Sequence, residues 1–230
     1  GGELGQSPPV KQRRRKKQLR CVIVHQDYTI VDTIANSLQA DYSLMQHDEN
    51  LFMSNTFAPT GKFSDIALCP GAVRIKTLPN AGGTSVNSEA LSFEVLRRMF
   101  NARLHATEME LQYWPENSKI TDYSVVIQQR KFGVSVTRAM KFGGGLFTEE
   151  DATRLLTKKL FGVVESTKAV IAPFKWKKQI LHVWAQTNQI AAMLRTVYDT
   201  LIPTEMRSNT VVVVTVATNA DWVFFEREGC

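Results

Sequence analysis

Between residues 88 and 217 the apolar period switches repeatedly between helix-like and strand-like, with a turn signal at each change, and this alternation limits the fold more than any other feature. Ser88 is placed to cap a helix from Glu89 to about Ala102, in which Leu91, Val95 and Met99 recur at i, i+4 and i+8. Leu104 to Trp114 is rich in β-forming residues, and Pro115 to Lys119 reads as a turn. Tyr123 to Ile127 and Phe132 to Arg138 are two further strands, so two successive hairpins are expected. Thr148 opens a long helix to about Ile171, with Glu149, Glu150 and Asp151 in a first turn that suits negative charge. A strand at Ile180 to Ala185, a helix from Thr187 to about Leu201 and a buried strand at Thr210 to Ala217 follow. Trp222 to Phe225 reads as one more strand, with Trp184 and Trp222 expected in the core.

The first third of the chain is less patterned. Cys21 to Val24 reads as a strand, Val31 to Leu38 as a helix, and residues 43–62 as a long polar loop. Ile66 to Leu68 and Val73 to Leu78 look like short strands joined by a turn at Pro70-Gly71, and Asn80 to Thr84 is a breaker. No internal repeat or second boundary is visible. The expectation is a single α/β domain over residues 20–230, with a mixed central sheet and flanking helices, behind a flexible arm at residues 1–19. A hydrophobic content of 43% is enough for a substantial core. No apolar run approaches the roughly 18 residues that a membrane span needs, so a soluble chain is expected.

Charge is segregated. The first twenty residues hold Lys11, Arg13, Arg14, Arg15, Lys16, Lys17 and Arg20 against Glu3 alone, which accounts for the whole net charge of +6. The other 210 residues are neutral in sum, so the high isoelectric point describes the arm and not the body. Basic residues without interleaved aromatics suit phosphate contacts better than base stacking, and as such would carry affinity with little sequence specificity. The same run is compatible with a targeting signal.

Cys21, Cys69 and Cys230 are odd in number and far apart, and His25, His47, His105 and His182 show no paired-ligand spacing. A structural zinc site is not indicated, and free buried thiols in a reducing intracellular compartment are expected. With a basic arm and no initial Met, the mitochondrial matrix and the nucleus are the two compartments in view. Gly143-Gly144-Gly145 before a helix lacks the phosphate-loop pattern and reads as a connector. Phe174-Lys175-Trp176-Lys177-Lys178 interleaves aromatic and basic residues, for which core packing with solvated lysines is the first reading and strand binding the second.

From residue 88 the order helix, strand, strand, strand, helix, strand resembles the αβββαβ core of the restriction-endonuclease-like, PD-(D/E)xK nuclease superfamily, over about residues 88–185. That resemblance implies an acid on the first helix, for which Glu89 or Glu94 stands, and a metal-binding Asp at the entry to the second strand, where Asp122 stands after Thr121 in place of the usual Pro. It also implies an acid-x-Lys pair on the third strand. Here Ser135 occupies the acid position and Thr137 the Lys position. A hydroxyl keeps an oxygen but loses the charge that holds Mg²⁺ or Mn²⁺, and Thr removes the cation that orients the attacking water. Replacements by migration are conceivable from Arg138 or Lys141 for the Lys, and from Glu108 or Glu110, two apart on one strand face, for the acid.

The departures favour a nuclease-derived domain that does not cleave, with no catalytic residue, metal ligand or cofactor. It would serve as a binding or assembly module, a pseudo-nuclease, in a nucleic-acid-containing complex. An organellar ribosomal or RNA-processing component is one such setting, with protein partners on the neutral body and no membrane contact. The rival enzyme would be a divergent metal-dependent nuclease using Glu89 or Glu94, Asp122 as metal ligand, and Lys141. Convergence of Asp122 with two other carboxylates beside a Lys or Arg would favour that rival. A structural α/β protein with a targeting tail is the third reading.

Overall fold

A computed structural model describes residues 19–81, 85–141, 143 and 145–225. Residues 11–17 of the basic arm, Gly82-Gly83-Thr84, Phe142, Gly144 and Cys230 lie outside the described residues. The strands are β1 (Arg20–Val24), β2 (Tyr28–Thr33), β3 (Leu51–Pro59), β4 (Arg103–Thr107), β5 (Tyr123–Ile127), β6 (Arg130–Ala139), β7 (Lys178–Ala185) and β8 (Val211–Ala217). The helices are α1 (Ile34–Met45), α2 (Pro70–Thr77), α3 (Val86–Phe100), α4 (Glu149–Ala169), α5 (Asn188–Thr200) and α6 (Thr204–Arg207).

The eight strands form one mixed sheet in the order β1-β2-β3-β8-β7-β6-β5-β4. Its centre is parallel, β3 with β8, β8 with β7 and β7 with β6, and each wing is antiparallel. Strands β7 and β8 are buried along their whole length, because helices cover both of their faces. One layer packs α1, α2 and α3 on the sheet through Leu44, Ile75, Leu91 and Val95 against Ile30, Met53, Val134 and Trp184. The other packs α4 and α5 through Leu156, Leu160, Leu194 and Val197 against Phe52, Leu181, Val183 and Val214. The fold is α/β, with a mixed sheet between two helical layers.

From α3 to β7 the order is helix, three-stranded antiparallel meander, helix, parallel strand. The local signals worked where the period was strong. In α4, Thr148 Oγ1 accepts from the Asp151 N–H, and the Asp151 carboxylate accepts in return from the Thr148 backbone. In α5, Thr187 Oγ1 accepts from the Ile190 N–H.

Several expectations need correction. The segment 31–38 is not one helix: β2 runs to Thr33, which caps a helix that begins at Ile34. Residues 43–62 are not a loop, since α1 continues to Met45 and β3 occupies the sheet beside β8. No strands form at 66–68 or 73–78: Pro70 instead starts α2, because proline at N1 costs a helix no hydrogen bond. The cap of α3 is Ser85, one turn earlier than Ser88. Strand β4 ends at Thr107, and Glu108 to Glu110 form a 3₁₀ turn closed by a Thr107–Glu110 capping box. Residues 221–223 are a 3₁₀ turn and not a strand, with Trp222 only partly buried, whereas Trp184 is fully enclosed. Cys21 and Cys69 are free but only partly buried.

A buried cation ties α1 to β7. The Lys178 ammonium donates to the carbonyls of Ser43 (2.6 Å), Gln46 (2.8 Å) and Glu49 (2.6 Å), and the Arg130 guanidinium donates to that of Met45. Ser43, Met45 and Gln46 close α1, where carbonyls lack the usual donor one turn on, and Glu49 belongs to the segment that leads into β3. Burial pushes the Lys178 amine down to about 8. Replacing it by Met keeps the stem and removes the donors. A loss of about 2 kcal/mol is expected, read from the urea midpoint, and an unchanged midpoint would mean that water satisfies these carbonyls equally well.

Candidate functional site

The end of β6, the segment after it and the first half of α4 line a cleft of about 480 Å³ with ten residues. Five are cations: Arg138 on β6, Lys141 just after it, and Arg154, Lys158 and Lys159 on the first half of α4. A single carboxylate, Asp151, stands among them. The body, neutral in sum, thus carries a strongly positive cleft here, and the cavity lined by Arg130, Lys131, Lys175, Lys177 and Lys178 is basic as well. Asp151 receives the Lys141 ammonium at 2.8 Å and the Arg154 guanidinium at 2.8 Å. The Lys141 ammonium foremost, and after it the Thr148 backbone N–H and hydroxyl, hold its carboxyl down to about 2. Its charge is thus spent on the helix cap and on two neighbours, while Lys158 remains exposed.

Of the positions that the nuclease resemblance singled out, Thr137 lines this cleft, whereas Asp122 is half-buried just before β5 and Ser135 is buried on β6. Asp122 precedes β5 and its Oδ2 accepts from the Val136 N–H at 2.6 Å. Loss of water around it raises its carboxyl to about 6, against the opposing pull of Lys159 and the Val136 bond. Ser135 is buried, with its hydroxyl 3.4 Å from that of Thr121, and Thr137 lines the cleft. A cation does reach this part of β6, but from α4: Lys159 Nζ approaches the Val136 carbonyl at 3.4 Å.

The other candidate acids are engaged elsewhere. Glu94 is buried and accepts from the Tyr28 hydroxyl and the Cys69 N–H. Glu89 accepts from Ser85 Oγ at the start of α3. Glu110 accepts from Arg74 and Thr107, and Glu108 from the Ala81 N–H; the 3₁₀ turn separates these two acids from the strand face expected for them. Lys141 is paired with Asp151. Among the described residues no three His, Cys, Asp or Glu side chains converge as a metal would require. Arg20 lies in β1 and is exposed; its companions in the arm fall outside the described residues.

The aromatic-basic run 174–178 divides by chemistry. Trp176 packs on Gly133, where an added Cβ would meet its ring at 2.4 Å, and its Nε1 donates to Thr167. Lys175 and Lys177 face solvent, and Lys178 is the buried clamp on α1. The cations on α4 were missed at the level of sequence, although Arg154, Lys158 and Phe161 recur at i, i+4 and i+7 opposite the buried Leu156, Leu160 and Val163.

No helix of the described residues is long and apolar enough to cross a membrane. No family model matches the chain, and no solved structure matches it. It is similar to the AAC-rich mRNA clone AAC4 protein of Dictyostelium discoideum, with 45% identity over 188 residues. The match takes in 79% of this chain but spans 26% of that relative's length.

Proposed function

We propose that this domain is a nucleic-acid-binding module built on a nuclease-like core that it does not use for cleavage, and that it holds phosphates in the cleft between β6 and α4. The observation that carries the reading is the cleft itself: five cations and one already neutralised carboxylate beside Asp122. Phosphates are held by such clusters through charge and counterion release. The order α3-β4-β5-β6-α4-β7 supports a PD-(D/E)xK-like ancestry. Ser135, Thr137 and the dispersal of Glu89, Glu94 and Lys141 argue against metal-dependent hydrolysis. The basic arm from Lys11 to Arg20 adds phosphate contacts, and the neutral surfaces remain for protein partners in a ribonucleoprotein of the nucleus or the mitochondrial matrix.

The test is a salt series on the full chain with labelled RNA and DNA, with and without Mg²⁺ or Mn²⁺. Combining Arg154→Gln with Lys158→Gln removes two exposed cations without touching the core. Each lost phosphate contact lowers the slope of log K against log salt by about 0.7 to 0.9, so a fall of about 1.5 is expected. An unchanged slope would place the phosphates elsewhere. Metal-dependent cleavage abolished by Asp122→Ala would overturn the non-catalytic reading in favour of a divergent nuclease. Absence of binding to either nucleic acid would leave the structural protein.

A further inference from the structure

Helix α4 does not end at the basic cleft. Beyond Lys158 its exposed face continues through Phe161, Glu165 and Lys168, and there it borders a second cavity of about 390 Å³. The opposite contributions come from the turn after β4, namely Trp114, Pro115, Asn117, Ser118 and Lys119. Trp114 is 68% exposed and Phe161 54% exposed, whereas Trp176 and Trp184 are buried. Two large aromatic rings thus line one open cavity, in company with two lysines.

The Trp114 ring stands in solvent on a backbone that is tied down. Its N–H donates to the Ala169 carbonyl at 2.9 Å, Tyr113 bridges to Val170, and the Ile171 N–H donates to the Gln112 carbonyl. On the far side of the turn, the Ser118 N–H donates to the Pro115 carbonyl. Glu165 is paired with Lys168 at 2.6 Å, so it does not oppose an anion at full strength, and Lys119 is exposed. Arg154, Lys158, Phe161 and Lys168 share one face of a single helix. From Arg154 to Phe161, and again from Phe161 to Lys168, the rise is about 10 Å.

Phosphate-binding charge followed by exposed aromatic rings is the arrangement by which single strands are held: cations follow the backbone and rings stack on unpaired bases. A duplex hides its base faces and gains nothing from such rings. We infer that the ligand is a single-stranded nucleic acid lying along α4, with its phosphates at Arg154 and Lys158 and an unpaired base in the cavity between Trp114 and Phe161. This rests on the phosphate cleft proposed above and adds the strand state of the ligand. The five cations of the adjoining cleft commit the ligand to a polyanion, and the two rings on the same stretch of surface to one with unpaired bases.

The experiment compares the full chain with a Trp114→Ala/Phe161→Ala double variant and with Trp114→Tyr, on single-stranded RNA, the matching duplex and an abasic deoxyribose-phosphate strand. The wild type is expected to prefer the single strand to the duplex. The double variant is expected to lose about 10-fold or more in single-strand affinity, within the range of one or two stacked bases, with Trp114→Tyr close to wild type. Duplex and abasic binding, and the salt slope, should stay unchanged. Equal losses on all three probes, or no loss on the single strand, would overturn the inference while leaving the phosphate cleft standing. Failure of the wild type to bind any of the three would overturn both. Tighter, ring-dependent binding of polyglutamate than of the RNA would assign the cavity to an acidic polypeptide and overturn the inference as well.

Discussion

Acidification should cost this protein about 2 kcal/mol of folding stability through His182 by pH 5, and on the order of 4 kcal/mol by pH 3. The imidazole sits on β7 with no exposure, its Nδ1 2.5 Å from Ser92 Oγ and its Nε2 2.7 Å from Thr215 Oγ1. Ser92 Oγ also meets the Tyr123 hydroxyl at 2.7 Å, so four side chains from α3, β5, β7 and β8 form one hydrogen-bonded chain. Among the described residues its ring nitrogens meet only hydroxyls, and burial brings it down to about 3. The unfolded imidazole titrates near 6.5, so below that pH the unfolded state binds the extra proton and stability falls with pH until the folded ring also titrates.

Asp122 works in the opposite direction. Its carboxyl is raised to about 6, so the folded state takes up a proton first and gains relative stability as pH falls from 6 toward the unfolded value. The two contributions overlap and partly cancel in the wild type. The measurement is therefore a difference: urea unfolding of wild type and His182→Gln at pH 7, 5 and 4. The variant is expected to be less stable at pH 7, having lost the fit of its hydroxyl partners, and to close the gap steadily in acid. A gap that stays constant with pH would mean that His182 is not held neutral by burial.

Trp184→Ala should cost about 3 to 5 kcal/mol, as removal of a fully buried large aromatic does. The indole fills the space between β7 and α3, meets Phe57 edge-on at 5.6 Å between centroids, and donates from Nε1 to the Ser88 carbonyl at 3.0 Å. Trp184→Phe keeps most of the apolar contact and loses that bond, for an expected cost of about 1 to 2 kcal/mol. Denaturant midpoints at constant slope separate the two. Equal costs would place the importance of Trp184 in its hydrogen bond and not in its volume.

Local chemistry was legible wherever period and cap agreed. Thr148 and Thr187 start their helices as read, and the turn at residues 115–119 precedes the second strand of a meander that does form. Strand β3 escaped because Ser54, Asn55 and Thr56 interrupt its apolar pattern. Ser54 and Thr56 border an open cavity beside the first half of α5, so nothing there required apolar side chains. Helix α2 escaped because Pro70-Gly71 signals a turn and a helix start equally well. Of the candidate site, Asp122, Arg138 and Lys141 were named from the motif and its neighbours, but Arg154, Lys158 and Lys159 were not singled out.

By itself, then, the sequence determined the class of each strongly periodic element from α3 to β8 and the concentration of net charge in the arm. Only the tertiary structure decided that β3 joins the sheet beside β8, about 160 residues away, and that cations from β6 and α4 share one cleft. The reason is physical. Period and capping are written in neighbouring residues, whereas the charge of a cleft depends on which faces non-local packing brings together.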